Sequence, residues 1–259
     1  MTSQNDRAGT LYGLGVGPGD PRLITLRAVE VLGQVDEVFT ASTSETEESL
    51  AGKIAAPHIR PQAGVRKLVF PMTSDGRRLE EAWLKNAVTV AETLDRGLSC
   101  AFLTLGDCLT YSTYAYLLSH LLELRPGARV ESVPGITSYQ LAAARLNRPL
   151  VLGRENLAIL GGATDSGFEE LCRNSDNLVI MKPYRGTSDV IDRLRALGLA
   201  SKTAFCANLA LEGEMIVDGL EEGFKEPPGY FSLLLVNKRD EPRDGQGAER
   251  QDAKGQAGR

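Results

Sequence analysis

Short apolar runs alternate with longer amphipathic stretches over the first half of the chain. TLYGLGV (10–16), DEVFT (36–40), KLVF (67–70), SCAFLTL (99–105) and RVESV (129–133) have the length and composition of strands. In LITLRAVEVLGQ (23–34), Leu23, Leu26, Val29 and Leu32 recur at three-residue steps and predict a helix. A longer helix is predicted over 77–97, where Gly97 supplies a stop. Strands alternating with helices predict crossover connections and a mostly parallel sheet.

Beyond Asn147-Arg148-Pro149 the strands crowd together: LAILGG (157–162), NLVIMK (177–182), TAFCANL (203–209), GEMIVDG (213–219) and YFSLLLVNK (230–238). Two helical stretches intervene, around 167–173 and 187–197. This change predicts an N-terminal α/β domain over 10–148 and a second α/β domain with a mixed sheet over 149–238. Residues 1–9 and 239–259 are polar without apolar periodicity and are expected to be flexible ends. The folded part contains no repeat.

Composition narrows the function classes. The 259 residues are 42% hydrophobic and 24% charged with net charge −5, which describes a globular chain without the basic face that nucleic acid requires. Cys100, Cys108, Cys172 and Cys206 are scattered, as expected of buried thiols in a reducing compartment. His58 and His120 lie far apart, so no protein-held metal is expected. MTSQNDRAGT does not read as a signal peptide, and no apolar run approaches the ~20 residues of a membrane span. A cytoplasmic protein with no membrane partner is expected.

Three glycine-bearing loops follow strands. GLGVGPGDP (13–21) is neither G-x-G-x-x-G nor a P-loop, and Pro18 removes one N–H that a phosphate cradle would use. Asp20 there suits a helix cap. LTLGDCLTYSTY (103–114) places Gly106-Asp107 at a strand end, where open α/β sheets form ligand crevices. Its Tyr111 and Tyr114 share a helical face with Leu118, which predicts at least one core tyrosine. VPGITSYQLAAARL (133–146) opens a small-residue helix at Thr137-Ser138, again a capping pattern.

Taken in order, GLGVGPGDP, LGD with YSTYAYLL, VPGITS, VIMK and YFSLLLVNK resemble the tetrapyrrole methylases, over about Thr10 to Lys238. The resemblance implies two α/β domains with a cofactor cleft between them, the class III fold of S-adenosylmethionine-dependent methyltransferases. FPMTSDG (70–76), YSTYAYLL (111–118) and YFSLLLVNK are similar to the cobalamin-pathway branch that methylates C20 of precorrin-2 or its cobalt-containing counterpart. LTLGDxxxYSTYxYLL leans to the cobalt-using form. Two departures stand out: Cys108 where many relatives have proline after Gly-Asp, and Pro183 where relatives often carry another residue.

The resemblance also implies roles. Leu105, Gly106, Asp107 and Thr110 would meet the methionine part of S-adenosylmethionine, with Thr137 and Ser138 holding it from the third loop. Met181 and Leu209 would frame the adenosine, and Pro18 would set its loop across the cleft floor. Asp107 would orient the cationic end of the cofactor, and Tyr111 would line the ring pocket. No residue is assigned as the base that removes the C20 proton. A substrate with eight carboxylates calls for local cations, which makes Arg22, Lys182 and Arg185 the candidates nearest the cleft loops, ahead of Arg66, Lys67, Arg77, Arg78, Arg148 and Arg154. A homodimer is expected.

Two other readings stay open. A methylase acting on another ring carbon would share the cofactor loops. A nicotinamide oxidoreductase would need an acidic residue ending the second strand, where Phe39-Thr40 stands.

Overall fold

The computed structural model describes residues 9–162, 167–182, 187–220, 224 and 231–239. Most of the two ends read as flexible lies outside the described residues, as do Pro183, Arg185 and Tyr230.

Five strands form the first sheet: β1 (Thr10–Gly15), β2 (Glu37–Ser42), β3 (Gly64–Val69), β4 (Cys100–Thr104) and β5 (Arg129–Val133). They lie in the order β3-β2-β4-β1-β5, every pairing parallel. All five residues of the central β4 are buried, as in a parallel sheet covered on both faces. One face is covered by α3 (Gly76–Asp95) and α4 (Thr113–Leu124), around Phe39, Phe102, Tyr114 and Leu117. The other packs α1 (Leu26–Leu32) and α2 (Leu50–Ala55) against Leu14, Val38 and Leu103.

The predicted helix over 23–34 is shorter than its periodicity. Asp20 caps a separate 3-10 turn, Pro21–Leu23, and Thr25 caps a new start at Leu26. The buried face is Ala28, Val31 and Leu32, while Leu26, expected on that face, is 83% exposed. The 77–97 prediction holds closely: α3 ends at Asp95 and Gly97 takes φ +78°, the left-handed stop. Helix α2 has only six residues and was not anticipated.

The second sheet is mixed, as expected. Its strands are β6 (Leu157–Leu160), β7 (Asn177–Met181), β8 (Thr203–Ala207), β9 (Met215–Asp218) and β10 (Ser232–Asn237), in the order β6-β7-β10-β8-β9. Only β6 and β7 are parallel; β10 runs antiparallel between β7 and β8. Helices α6 (Phe168–Asn174) and α7 (Thr187–Ala196) cover one face with Phe168, Val190, Ile191 and Leu194. The opposite face takes Leu141 and Ala142 of α5 (Ser138–Leu146), a helix that follows directly from the first sheet. Arg145–Glu214 and Arg148–Asp218 ion pairs flank this junction. The chain thus forms two α/β domains joined through α5. Among the described residues no helix is long and apolar enough to cross a membrane.

Candidate active site at the meeting of three loops

Strands β1 and β4 are neighbours, yet their connections leave to opposite faces, toward α1 and α4 respectively. That is a topological switch point, where open α/β sheets place ligands. The two loops are stitched together above it. Gly17 N–H donates to Gly106 O at 3.2 Å and Gly106 N–H to Gly17 O at 2.7 Å.

The third loop joins through close backbone contact. A Cβ on Gly15 would stand 2.6 Å from Gly135 N and 2.7 Å from Gly106 O, backbone atoms that cannot yield as a side chain would. Asp107 completes the tie. Its Oδ1 accepts from Leu109 N–H at 2.9 Å and from the Thr110 hydroxyl at 3.0 Å; its Oδ2 accepts from Gly135 N–H at 3.1 Å. Thr137 caps α5 in a capping box with Gln140, and Ser138 is the first helical residue.

The second domain meets this platform at two places. Gly19 lies where a Cβ would come 2.9 Å from both Leu209 O and Ala210 O. Tyr111 reaches across from the β4–α4 loop: its hydroxyl donates to Ile159 O at 2.9 Å, and its own carbonyl accepts from Lys182 Nζ at 3.2 Å. Tyr111, Lys182, Asn208 and Ala210 all have positive φ, at 48°, 53°, 49° and 58°. Such conformations are uncommon for non-glycine residues and cluster at ligand sites.

Most residues assigned by sequence stand around these loops. Pro18 is buried beside the Gly17–Gly106 bridge, Leu105 is half-buried under it, and Leu209 is buried against the second sheet. Met181, half-exposed, ends β7 next to Lys182. Tyr111 departs from the predicted helical face: α4 starts after it, capped by Ser112, and Tyr111 remains exposed. Tyr114 is the core tyrosine. Arg22 points into solvent, forked onto Asp20, whose carboxyl is thereby held down to about 2. Arg185 lies outside the described residues.

Sequence reasoning missed three participants. Gly13, taken with the loop glycines, makes room for the Tyr114 ring, whose Cζ would be 2.1 Å from a Cβ there, while Tyr114 and Ser132 hydroxyls pair at 3.1 Å. Gly161 and Ile159 receive Tyr111, and the paired glycines of LAILGG were the available signal. Cys108 is buried, its thiol 3.4 Å from Val133 O, and burial foremost, then the Asp107 charge, pushes that thiol up to about 11.

The residues around the platform are compatible with the S-adenosylmethionine that the resemblance implies. A Cβ on Gly106 would find only Ile136 O, at 3.9 Å, so the missing side chain leaves space against a polar backbone. Exposed Leu109 and Tyr111 and half-exposed Met181 offer apolar walls for a nucleoside, and Asp107 offers negative charge for a cation.

Comparisons with known proteins bear on most of the chain. A cobalt-precorrin-2 C(20)-methyltransferase of Salmonella typhimurium is 34% identical over 235 residues, covering 89% of this chain and 97% of that protein. A probable cobalt-precorrin-2 C(20)-methyltransferase of Methanocaldococcus jannaschii is 34% identical over 238 residues, covering 88% and 96%. The solved structure of a cobalamin biosynthetic cobalt precorrin-4 methyltransferase shares the fold with a TM-score of 0.64 at 20% identity, covering 88% of this chain and 94% of that one. The family model for tetrapyrrole (corrin/porphyrin) methylases matches residues 10–224, a span holding all three converging loops and both sheets up to β9. With the two-domain fold, that match settles the assignment: the chain belongs to the tetrapyrrole methylase family.

Proposed function

We propose that this protein transfers the methyl group of S-adenosylmethionine to C20 of precorrin-2 in cobalamin biosynthesis, with the cobalt-containing form as preferred substrate. The observation that carries this reading is the platform of three loops at the switch point, Gly17 against Gly106 and Asp107 against Gly135, facing a second domain. The names of the similar proteins support the choice of C20 and of cobalt.

When bound, S-adenosylmethionine supplies an electrophilic methyl on a sulfonium, and an electron-rich bridging carbon needs no protein nucleophile to accept it. The residues' task is therefore positional. Holding two reactants in attack geometry can supply up to ~7–11 kcal/mol of the barrier. In this reading the backbone of Leu105 and Gly106, with Thr110, Thr137 and Ser138, holds the methionine part, and Asp107 keeps its charge toward the cationic end. Met181 and Leu209 flank the adenosine, and Pro18 shapes the floor. The domains, over 10–148 and 149–238, exclude water between them. Arg22, Lys182 and Arg185 meet the substrate carboxylates, and Arg22 would first release Asp20. A cytoplasmic homodimer completes the proposal, and gel filtration tests the oligomer.

The decisive assay offers precorrin-2 and cobalt-precorrin-2 with methyl-labelled S-adenosylmethionine and locates the label by NMR. Label on C20, with the cobalt form turned over faster, is expected. Label on any other carbon overturns the site of methylation; preference for the metal-free form overturns only the metal choice.

A further inference from the structure

We propose that Tyr111 and Lys182 form a clasp across the domain junction that sets the width of the cofactor cleft, acting as positioning residues and not as reacting groups. Its functional consequence rests on the S-adenosylmethionine reading above; its contacts do not.

Tyr111 belongs to the loop that carries Gly106, Asp107 and Thr110, and Lys182 directly follows Met181. The pair therefore joins the two sides of the proposed cofactor cleft. Three contacts hold Tyr111 to the second domain. Its hydroxyl donates to Ile159 O at 2.9 Å, and its carbonyl accepts from Lys182 Nζ at 3.2 Å. Its ring lies on Gly161, where a Cβ would stand 2.7 Å from Cε1 and 3.1 Å from Cδ1. Glycine at 161 is thus a socket shaped for this ring. Ile159 lies on β6, which among the described strands has a neighbour on one side only, so the tyrosine meets the sheet at its edge.

The backbone makes the same point independently. A bulky residue at φ 48° is an outlier that persists only when its surroundings over-determine it. Lys182, at φ 53°, is held from its own side by its N–H donating to Ser232 O at 3.1 Å. Two strained residues, one from each domain, thus meet through a side-chain-to-backbone bond. A hydroxyl and a carbonyl already engaged in holding the domains together are poorly placed to take part in methyl transfer.

The test uses Tyr111→Phe, Lys182→Met and Gly161→Ala in the full chain, with S-adenosylmethionine binding measured by calorimetry. Each is expected to raise Kd ~3–10-fold, the size of one lost hydrogen bond, while the binding stoichiometry holds. Because Gly161→Ala acts only by displacing the Tyr111 ring, its penalty is expected to vanish in a Tyr111→Ala background. Unchanged Kd in all three variants, additive penalties, or lost stoichiometry at unchanged Kd would each overturn the clasp. If the wild-type chain binds no S-adenosylmethionine, the proposed function fails instead. The clasp is then read from urea unfolding of the same Gly161/Tyr111 cycle, where non-additivity supports it and additivity refutes it.

Discussion

Asp107 and Gly135 are joined by a 3.1 Å hydrogen bond that ties the loop after β4 to the loop after β5. With Leu109 N–H and the Thr110 hydroxyl on its other oxygen, the carboxylate is a strut within the platform, and the proposed function gives it a second duty as a charge beside the cofactor. Its two duties can be separated experimentally.

Asp107→Ala is expected to lower stability by ~1–3 kcal/mol, because partly buried donors lose their acceptor. Asp107→Asn retains one acceptor oxygen and should cost less. In binding, Asp107→Asn is expected to weaken S-adenosylmethionine more than its demethylated product, since only the former carries the sulfonium charge. Calorimetry with both ligands decides the point; equal losses would leave Asp107 as a strut alone.

Gly15→Ala tests the close approach of the loops. The new methyl meets backbone of Gly135 and Gly106 within 2.8 Å, so the loops must separate. Overpacking of this kind costs ~1–3 kcal/mol. The expected outcome is a folded protein with a lower urea midpoint and weakened cofactor binding, and an unaltered affinity would contradict it.

His120 gives a pH dependence with a definite sign. Its Nδ1 lies 2.8 Å from Tyr116 O and its Nε2 lies 2.9 Å from Glu80 Oε1, two acceptors that only the imidazolium can serve together. The Tyr116 carbonyl first, then Glu80, raise its pKa above 6.5. The stabilisation is therefore complete below ~pH 6.5 and fades as pH rises through the folded-state value. An NMR titration should show a midpoint above 6.5, and urea melts of His120→Gln should lose this component of the pH slope. A midpoint below 6.5 would refute the assignment.

The strands were legible because the sheets bury them. SCAFLTL reads as a near-continuous apolar run since β4 is covered on both faces, and the mixed second sheet followed from the density of such runs. The three loops were legible from their glycines at strand ends. What escaped was long-range. Nothing local in Gly13 announces the Tyr114 ring, and nothing in α5 says that Leu141 rests on the second sheet. Tyr111 was misplaced because three-residue spacing extends a helix on paper, whereas Ser112 caps it in the fold. Helix α2, with six residues, is shorter than the window in which a helical period becomes visible.

The position of β10 bears on how the chain is made. This strand, the last in chain order among those described, lies at the centre of the second sheet, between β7 and β8. A ribosome releasing the chain from its N-terminus would deliver the whole parallel sheet early, while β6 with β7 and β8 with β9 wait as two unjoined edges. Neither half can close until residues 232–237 emerge and slot between them. Until then the apolar face that receives α5 is split, and two strand edges stand open to other chains. The second sheet therefore becomes continuous only once residues 232–237 are available.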